Sequence, residues 1–319
     1  MKITIPSFAK LNLDLRVLHK RPDGFHELRT IYQTISLKDT LTVEFEIAKR
    51  TQVNLSSSID IVDNLVVRSA KLVLDRLRIA AWLRFTLSKK IPIGAGMGGG
   101  SSNAAAVLIA LSALIAHATG KKIPATDLVR LAESLGSDVP FFLYGGTALG
   151  IGRGTEIYPL PDQPSRTAVV VASGVHVSTP EAYRSLNRTL TSTPESPILR
   201  EFQTIAWDLD GPSLGRLPLK NDFEDAVFEV HPRLAGFVRK LRRLGGRPAL
   251  MTGSGSAVFG IFSSAAKARE AARAFPGVVA QGGLAQTVGF VSRRQYRRTW
   301  RRALGPVAEA SCFSLGRGD

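Results

Sequence analysis

The sequence predicts an α+β protein of two domains, and three observations carry that expectation. Stretches of period-two alternation and stretches of helical spacing both recur, but never in the repeated strand–helix–strand rhythm of a doubly wound fold. The 319 residues suit two domains at about 100–200 residues each. A strong β run at 167–172 separates two glycine-rich turns, at 94–100 and 253–256. These features place an N-terminal domain over 1–160, a C-terminal domain over 161–290 and a basic tail over 291–319.

The first 60 residues read as a β-rich meander. Ile3, Ile5, Leu11, Leu13, Leu15 and Val17 follow the alternation of a strand. Arg21, Pro22, Asp23 and Gly24 form a turn, in which proline presets φ, aspartate caps locally and glycine takes positive φ. Thr40, Thr42 and Val43 favour an extended chain within 31–45. Asp63 or Asn64 then caps a helix carrying Leu65, Ala70, Val73, Leu74 and Leu77 at helical spacing. Residues 82–87 alternate as a strand. After the glycine-rich stretch, 102–118 is Ala- and Leu-rich without Gly or Pro, a buried helix. A second helix is expected over 123–135, and glycine turns at 145–147 and 150–154 flank a short strand. Residues 188–217 look loop-rich, and 221–244 helical with Pro232 as a break or a start. A strand over 257–262 and a helix over 265–275 complete the pattern.

Composition narrows the class. Hydrophobic residues make up 44% and charged residues 21%, which are globular values. A single cysteine, Cys312, excludes an internal disulfide framework. No apolar run of membrane-spanning length stands out, and the N-terminus lacks the apolar core of a secretory signal, so a cytoplasmic protein without a membrane partner is expected. Lys and Arg outnumber Asp and Glu by 42 to 26, giving a net charge of +16. Such a charge suits nucleic acid, an anionic membrane surface or a polyphosphate ligand. Six arginines and no acid lie within 291–302, a stretch that reads as a solvated basic helix or tail.

The most informative segment runs from Pro92 through Gly94, Ala95, Gly96, Met97, Gly98, Gly99, Gly100, Ser101 and Ser102 to Asn103. Its glycines let backbone N–H groups converge without Cβ obstruction, and the two serines add hydroxyls. A long helix follows, so its positive N-terminus faces whatever the loop cradles. Together these make a phosphate site. Gly94, Gly96 and Gly99 match the spacing of a dinucleotide fingerprint, yet no acid and no strand stands about 20 residues on. No lysine lies between Gly94 and Lys121, which excludes a Walker A loop.

This loop resembles the ATP-binding motif of the GHMP small-molecule kinases, and four further segments carry the resemblance up to about residue 290. They are the strand around Lys10 and Asn12, the turn from Arg21 to Leu28, the segment from Leu135 to Phe142, and the glycine turn from Thr252 to Phe259; the stretch from Asp63 to Arg68 is a weaker match. The resemblance implies a two-domain GHMP kinase-type fold with the active site in the cleft between domains. It implies ATP and Mg²⁺ as cofactors and a cytidine diphosphate sugar alcohol as the acceptor, phosphorylated on its 2-hydroxyl. The N-terminal domain would bind ATP, and a monomer or weak homodimer is expected.

Phosphoryl transfer to an alcohol needs a positioned hydroxyl, neutralised phosphate charge and a destination for the proton. From spacing alone, Asp138 is also a plausible turn or cap residue, Lys10 a solvated strand lysine, and Phe25 and His26 an exposed pair. The resemblance makes Asp138 the base and Lys10 its partner, whose ammonium would keep the carboxylate ionised. It implies that Phe25 and Tyr183 sandwich the cytosine and that His26 bonds its edge. Phe25 stands where the family commonly has Tyr. Asn12 shares the strand face of Lys10 and would bind substrate, as would Gly253 and Ser254. Met97 replaces a common Leu. Asn103 stands where some members carry an acid, which leaves Mg²⁺ to the phosphates, to water and to Ser102. Asn64, Leu65 and Lys90 would line the adenine pocket. Two alternatives remain open at this stage: another acceptor, of the homoserine or mevalonate type, and nucleic-acid binding by the arginine-rich tail, where Tyr296 and Trp300 interleave.

Overall fold

In a computed structural model, residues 1–59, 61–186, 197–209 and 214–310 are described, and Cys312 lies outside them. The N-terminal half runs β1 (Lys2–Lys20), β2 (His26–Ile47), β3 (Gln52–Ser57), α1 (Leu65–Leu77), β4 (Ala81–Ser88), α2 (Gly99–Thr119), α3 (Ala125–Leu135), α4 (Phe141–Tyr144), β5 (Thr147–Gly152) and β6 (Glu156–Pro159). The C-terminal half adds β7 (Thr167–Ala172), α5 (Thr179–Ser185), α6 (Pro197–Asp208), α7 (Glu224–Val230), α8 (Pro232–Arg243), β8 (Ala249–Met251), β9 (Val258–Phe262), α9 (Ala265–Arg273), α10 (Pro276–Ala280), β10 (Leu284–Gly289) and α11 (Arg293–Leu304).

These strands form two sheets. The first has the order β3-β4-β2-β5-β6 with β1 paired to β2; the second has the order β10-β7-β9-β8. All pairings are antiparallel except β3 with β4, whose parallel register is bridged by α1. The meander, the cap at Asn64, the strand after residue 80 and the β run at 167–172 stand as expected. Asn64 accepts a 3.0 Å hydrogen bond from the Val66 N–H, so it is the N-cap of α1.

Several readings change. The helix expected from residue 102 begins at Gly99, because Gly98 caps it with φ 69° and Gly99 and Gly100 are tolerated in a first turn that has no side-chain cap. It is long and apolar enough to cross a membrane, contrary to the sequence reading, but 83% of its apolar window is buried, packed among α1, α3 and the first sheet. The stretch expected to be loop-rich holds α6. Pro232 starts α8 two residues after α7 ends at Val230, one of the two roles expected of it.

The reading of the basic segment changes too. Ser292 and Gln295 form a capping box, and α11 buries Tyr296, Trp300 and Leu304 at successive turns in the N-terminal core. The Tyr296 hydroxyl donates to the Phe142 carbonyl oxygen at 2.5 Å. Arg294, Arg298, Arg301 and Arg302 remain on the exposed side. The helix therefore closes the N-terminal unit from the far end of the chain, and its two aromatics face the core, where no base can stack on them.

A shared apolar cluster joins the two sheets. Leu11, Leu13, Ile31 and Ile35 of the first pack with Val170, Leu250 and Phe259 of the second and with Phe290 just past β10, and Ala95 and Met97 of the glycine loop are part of it.

Candidate active site

Three chain segments converge on one cavity of about 540 Å³. The middle of β1 supplies Lys10 and Asn12, the loop before α2 supplies Gly94, Gly96, Gly98 and Ser101, and the turn after β8 supplies Gly253, Ser254 and Gly255. Backbone bonds tie them together. The Lys10 N–H donates to the Met97 carbonyl oxygen at 3.0 Å, and the Ala257 N–H donates to that of Ala95 at 3.1 Å. The Asn12 N–H donates to Thr252 Oγ1 at 3.0 Å. Gly96 shows why glycine is required: its φ is 74°, and a Cβ there would stand 2.2 Å from the Thr252 carbonyl oxygen.

Lys10 is buried in β1, and its Nζ lies 3.3 Å from Oδ2 of Asp138. It also donates to Asn12 Oδ1 at 2.6 Å. Asp138, in the turn before α4, stays partly open to the cavity, with its side chain 28% exposed. Its Oδ1 accepts a 2.9 Å hydrogen bond from the Tyr32 hydroxyl. Tyr32 lies directly opposite Asn12 in the β1–β2 register, and the Lys10 ammonium sits 5.6 Å from its ring centroid. Burial first, and then the Asp138 charge, push the Tyr32 phenol well above its ordinary value, so it remains a donor. Tyr32 was not among the sequence-level candidates, because only strand pairing brings it to Asp138.

Asn12 shares the face of Lys10, but its amide is engaged within the protein: Oδ1 accepts from Lys10, and Nδ2 donates to Thr30 Oγ1 at 2.7 Å. It orients the lysine. Ser101 lines the cavity, whereas Ser102 is buried behind it, which counts against Ser102 as a metal ligand. Asn103 is likewise turned inward. Its Oδ1 accepts from Lys89 Nζ at 3.1 Å and its Nδ2 donates to Asp39 Oδ2 at 3.0 Å. Asp39 also accepts the Lys90 and Ile91 N–H groups at 2.7 and 2.8 Å, so this buried cluster anchors both ends of the glycine loop. Pro92, Ala95, Met97, Gly99 and Gly100 build the loop without lining the cavity. Asn64, Leu65 and Lys90 lie outside the lining as well; Leu65 borders the first turn of α2 beside Gly100, and Asn64 Nδ2 is buried with no hydrogen-bond partner.

Of the residues expected around a cytosine, His26 rather than Phe25 lies on the Tyr183 ring. His26 stacks on Tyr183 with centroids 4.7 Å apart and planes 23° from parallel, and Phe223 meets Tyr183 edge-on at 4.8 Å. Phe25 is 47% exposed, and the Arg153 guanidinium covers its face, 3.7 Å from the centroid. Burial first, and then Lys20, lower the His26 pKa, which favours the neutral ring that can both donate and accept. His176 stands over Gly94, and Thr179 shares a 2.8 Å hydrogen bond with Ser254. Neither of these, nor Arg153, carries a recognisable motif in the sequence. Asn221 donates to the Met251 and Gly253 carbonyl oxygens at 2.9 and 2.8 Å and so holds the second glycine turn.

Comparison with known proteins shows the family of the chain. The profile of the GHMP kinases N terminal domain matches residues 64–146, and that of the GHMP kinases C terminal domain matches 205–281. A 4-diphosphocytidyl-2-C-methyl-D-erythritol kinase of Solibacter usitatus is 48% identical over 315 residues, covering 97% of this chain and 95% of the relative. The Thermotoga maritima protein of the same name is 42% identical over 263 residues, covering 80% and 90%. A crystal structure of 4-(cytidine 5'-diphospho)-2C-methyl-D-erythritol kinase superposes with a TM-score of 0.71 at 34% identity, covering 90% of this chain and 99% of the other. A Cytophaga hutchinsonii homoserine kinase shares the fold alone, at 19% identity and a TM-score of 0.69. The chain is thus a small-molecule kinase and belongs to the GHMP kinase family, among the 4-diphosphocytidyl-2-C-methyl-D-erythritol kinases.

Proposed function

We propose that the chain transfers the γ-phosphoryl group of ATP to the 2-hydroxyl of 4-diphosphocytidyl-2-C-methyl-D-erythritol, a step of the non-mevalonate route to isoprenoid precursors. The observation that carries this reading is the Lys10–Asp138 pair, 3.3 Å apart beside the glycine loop, in a chain so similar to kinases of that name.

The residues divide the work. Positive φ at Gly94, Gly96 and Gly98 bends the loop, and the N-terminus of α2 adds its dipole toward the ATP phosphates. The acceptor hydroxyl approaches Asp138, which takes its proton as the new O–P bond forms and the bond from the γ-phosphorus to the β–γ bridging oxygen breaks, releasing ADP. Lys10 offsets the negative charge of the carboxylate and the incoming phosphoryl group. Tyr32 and Asn12 hold the pair in place. Among the described residues no three His, Cys, Asp or Glu side chains gather. That donor set fits an Mg²⁺ ion carried by nucleotide phosphates and water, with the Ser101 hydroxyl at hand, and such an ion supplies charge neutralisation on the phosphates. The adenine would lie against Leu65, where the unpartnered Asn64 amide offers a donor and Lys90 is exposed nearby. His26 and Tyr183 would meet the cytosine.

An ADP-release assay with this acceptor, and with homoserine and mevalonate in parallel, tests the reading. Turnover is expected with the cytidine diphosphate acceptor alone. Asp138→Ala and Lys10→Ala should each lose about 10²–10⁴ in kcat while remaining folded. Wild-type turnover no faster than that of Asp138→Ala would overturn the assignment.

A further inference from the structure

Helix α11 lies beyond residue 281, where the match to the C-terminal family profile ends, yet it touches the carriers of both catalytic groups. One buried side chain, Tyr296, makes both contacts. Its ring lies on that of Phe8, with centroids 5.4 Å apart, and Phe8 precedes Lys10 in β1 by one alternation of the strand. Its hydroxyl donates to the Phe142 carbonyl oxygen in α4, the short helix that follows Asp138. Gly145, at the end of α4, lets the ring pack directly on the backbone.

The link from Tyr296 to the reacting groups is stiff. A helix as short as α4 cannot satisfy its own terminal carbonyl groups. Tyr296 supplies a donor to one of them from 154 positions away. Burial pushes its phenol above the ordinary value, so it keeps its proton. The Phe142 N–H in turn donates to the carbonyl oxygen of Val139, the neighbour of Asp138, at 3.1 Å. The Phe142 ring stands against the glycine loop as well: a Cβ on Gly98 would come 2.9 Å from that ring and 3.2 Å from Lys10 Cγ. The entry to α11 repeats the clamp. Thr34, opposite Lys10 across the β1–β2 pair, accepts from the Val291 N–H and donates its own N–H to the Gly146 carbonyl oxygen, both at 2.9 Å. Arg293 Nη2 donates to the Thr147 carbonyl oxygen at 2.6 Å.

We propose that Tyr296 is a positioning residue for phosphoryl transfer, which sets the spacing between the strand of Lys10 and the segment of Asp138. The inference rests on the reading above that this pair performs the transfer. Tyr296 lies outside the cavity lining and touches no substrate. It acts through the backbone at Phe142, whereas Tyr32 acts on the carboxylate itself. The C-terminal helix is thereby part of the catalytic apparatus as well as of the core.

Steady-state kinetics of the full chain, with ATP and the cytidine diphosphate acceptor, test this. Tyr296→Phe keeps the ring on Phe8 and removes the donor. Its kcat should fall about tenfold or more, because a small misplacement is costly at the reacting atoms, while both KM values stay within about twofold of wild type. Leu304→Val, about 12 Å further along the same buried face, loosens the same core and should lower the melting temperature while leaving kcat near wild type. In an Asp138→Ala background no pair remains to be spaced, so adding Tyr296→Phe should leave the residual single-turnover rate unchanged. A wild-type kcat in Tyr296→Phe would overturn the proposal, as would a loss confined to KM. A loss shared equally by Leu304→Val, or one that persists in the Asp138→Ala background, would make Tyr296 merely structural and would also overturn it. Should Tyr296→Phe not fold, Arg293→Lys is measured in its place, with the same kcat-only loss expected and the same results counting against it. Wild-type turnover no faster than that of Asp138→Ala would instead overturn the reading of the catalytic pair, and this proposal with it.

Discussion

The Tyr32 hydroxyl donates a 2.9 Å hydrogen bond to Oδ1 of Asp138, leaving Oδ2 for Lys10 and the acceptor. A carboxylate with one oxygen held by a buried phenol cannot rotate freely, so the oxygen next to Lys10 keeps its aim. Hydrogen bonds to charged groups contribute about 1.5–3 kcal/mol, which corresponds to roughly 10–100-fold in rate if the geometry matters only during transfer. Tyr32→Phe keeps the ring and removes the donor. Steady-state kinetics should show kcat lower by about that factor, with the KM for ATP near wild type.

Gly96 is the contact point between the two glycine turns. Alanine there meets the Thr252 carbonyl oxygen at 2.2 Å and also pays the left-handed backbone penalty at φ 74°. Gly120 has the same φ of 74° with nothing within 4 Å of a Cβ, so it isolates the backbone component. In thermal melts Gly120→Ala should cost about 1–2 kcal/mol, and Gly96→Ala more, with an increase in the KM for ATP that Gly120→Ala does not show.

The C-terminal helix should prove essential to the N-terminal unit. Trp300 is 1% exposed within that core, and Tyr296 packs against Gly145, where a Cβ would come within 2.4 Å of its ring. Trp300→Ala should cost about 3–5 kcal/mol in urea unfolding. Arg298→Ala, on the exposed face of the same helix, should stay within about 0.5 kcal/mol. Ending the chain at residue 290 should abolish cooperative unfolding.

Glu224 links stability to pH. It accepts a 2.7 Å hydrogen bond from the Met251 N–H at the entry to the second glycine turn, and burial pushes its carboxyl up to about 7, which the backbone bond only partly opposes. The folded state therefore holds the proton more tightly than the unfolded chain. The stability this contributes is fully present below about 4.5 and is lost as pH rises through about 7. Glu224→Gln keeps a neutral side chain at every pH. The melting temperature of the variant relative to wild type should climb between about pH 5 and pH 8, a change of up to roughly 3 kcal/mol. A difference that stays flat would remove Glu224 as the cause.

Much of the site was legible because its parts are local. The glycine loop and its helix, the Asn64 cap and the second glycine turn each declare themselves within about a dozen residues, through the backbone conformations they need. Lys10 and Asp138 were legible only through family resemblance, since their pairing spans 128 positions of chain and neither spacing nor composition encodes it. The sequence could not choose between Ser101 and Ser102, because adjacent serines on a helix point in directions about 100° apart, and only packing decides that Ser101 takes the cavity side. The arginine-rich segment is a helix with exposed arginines, as one reading had it, but its buried face was missed for a related reason. Its charges dominate the composition, yet one buried residue per turn at Tyr296, Trp300 and Leu304 is enough to dock a helix.

The sequence alone determined a phosphate cradle, and its resemblance to the GHMP kinases added the reaction class, with a strand lysine, a carboxylate and an acceptor turn. The tertiary structure decided which side chains those motifs act through. β1–β2 register brings Tyr32 to Asp138, and β2–β5 register brings Arg153 to Phe25. Docking of α5 turns Tyr183 onto His26 rather than Phe25. Local propensity acts over a few residues, whereas these contacts depend on strand register and helix packing between distant segments. That long-range geometry separates a recognisable kinase loop from a site that selects its acceptor.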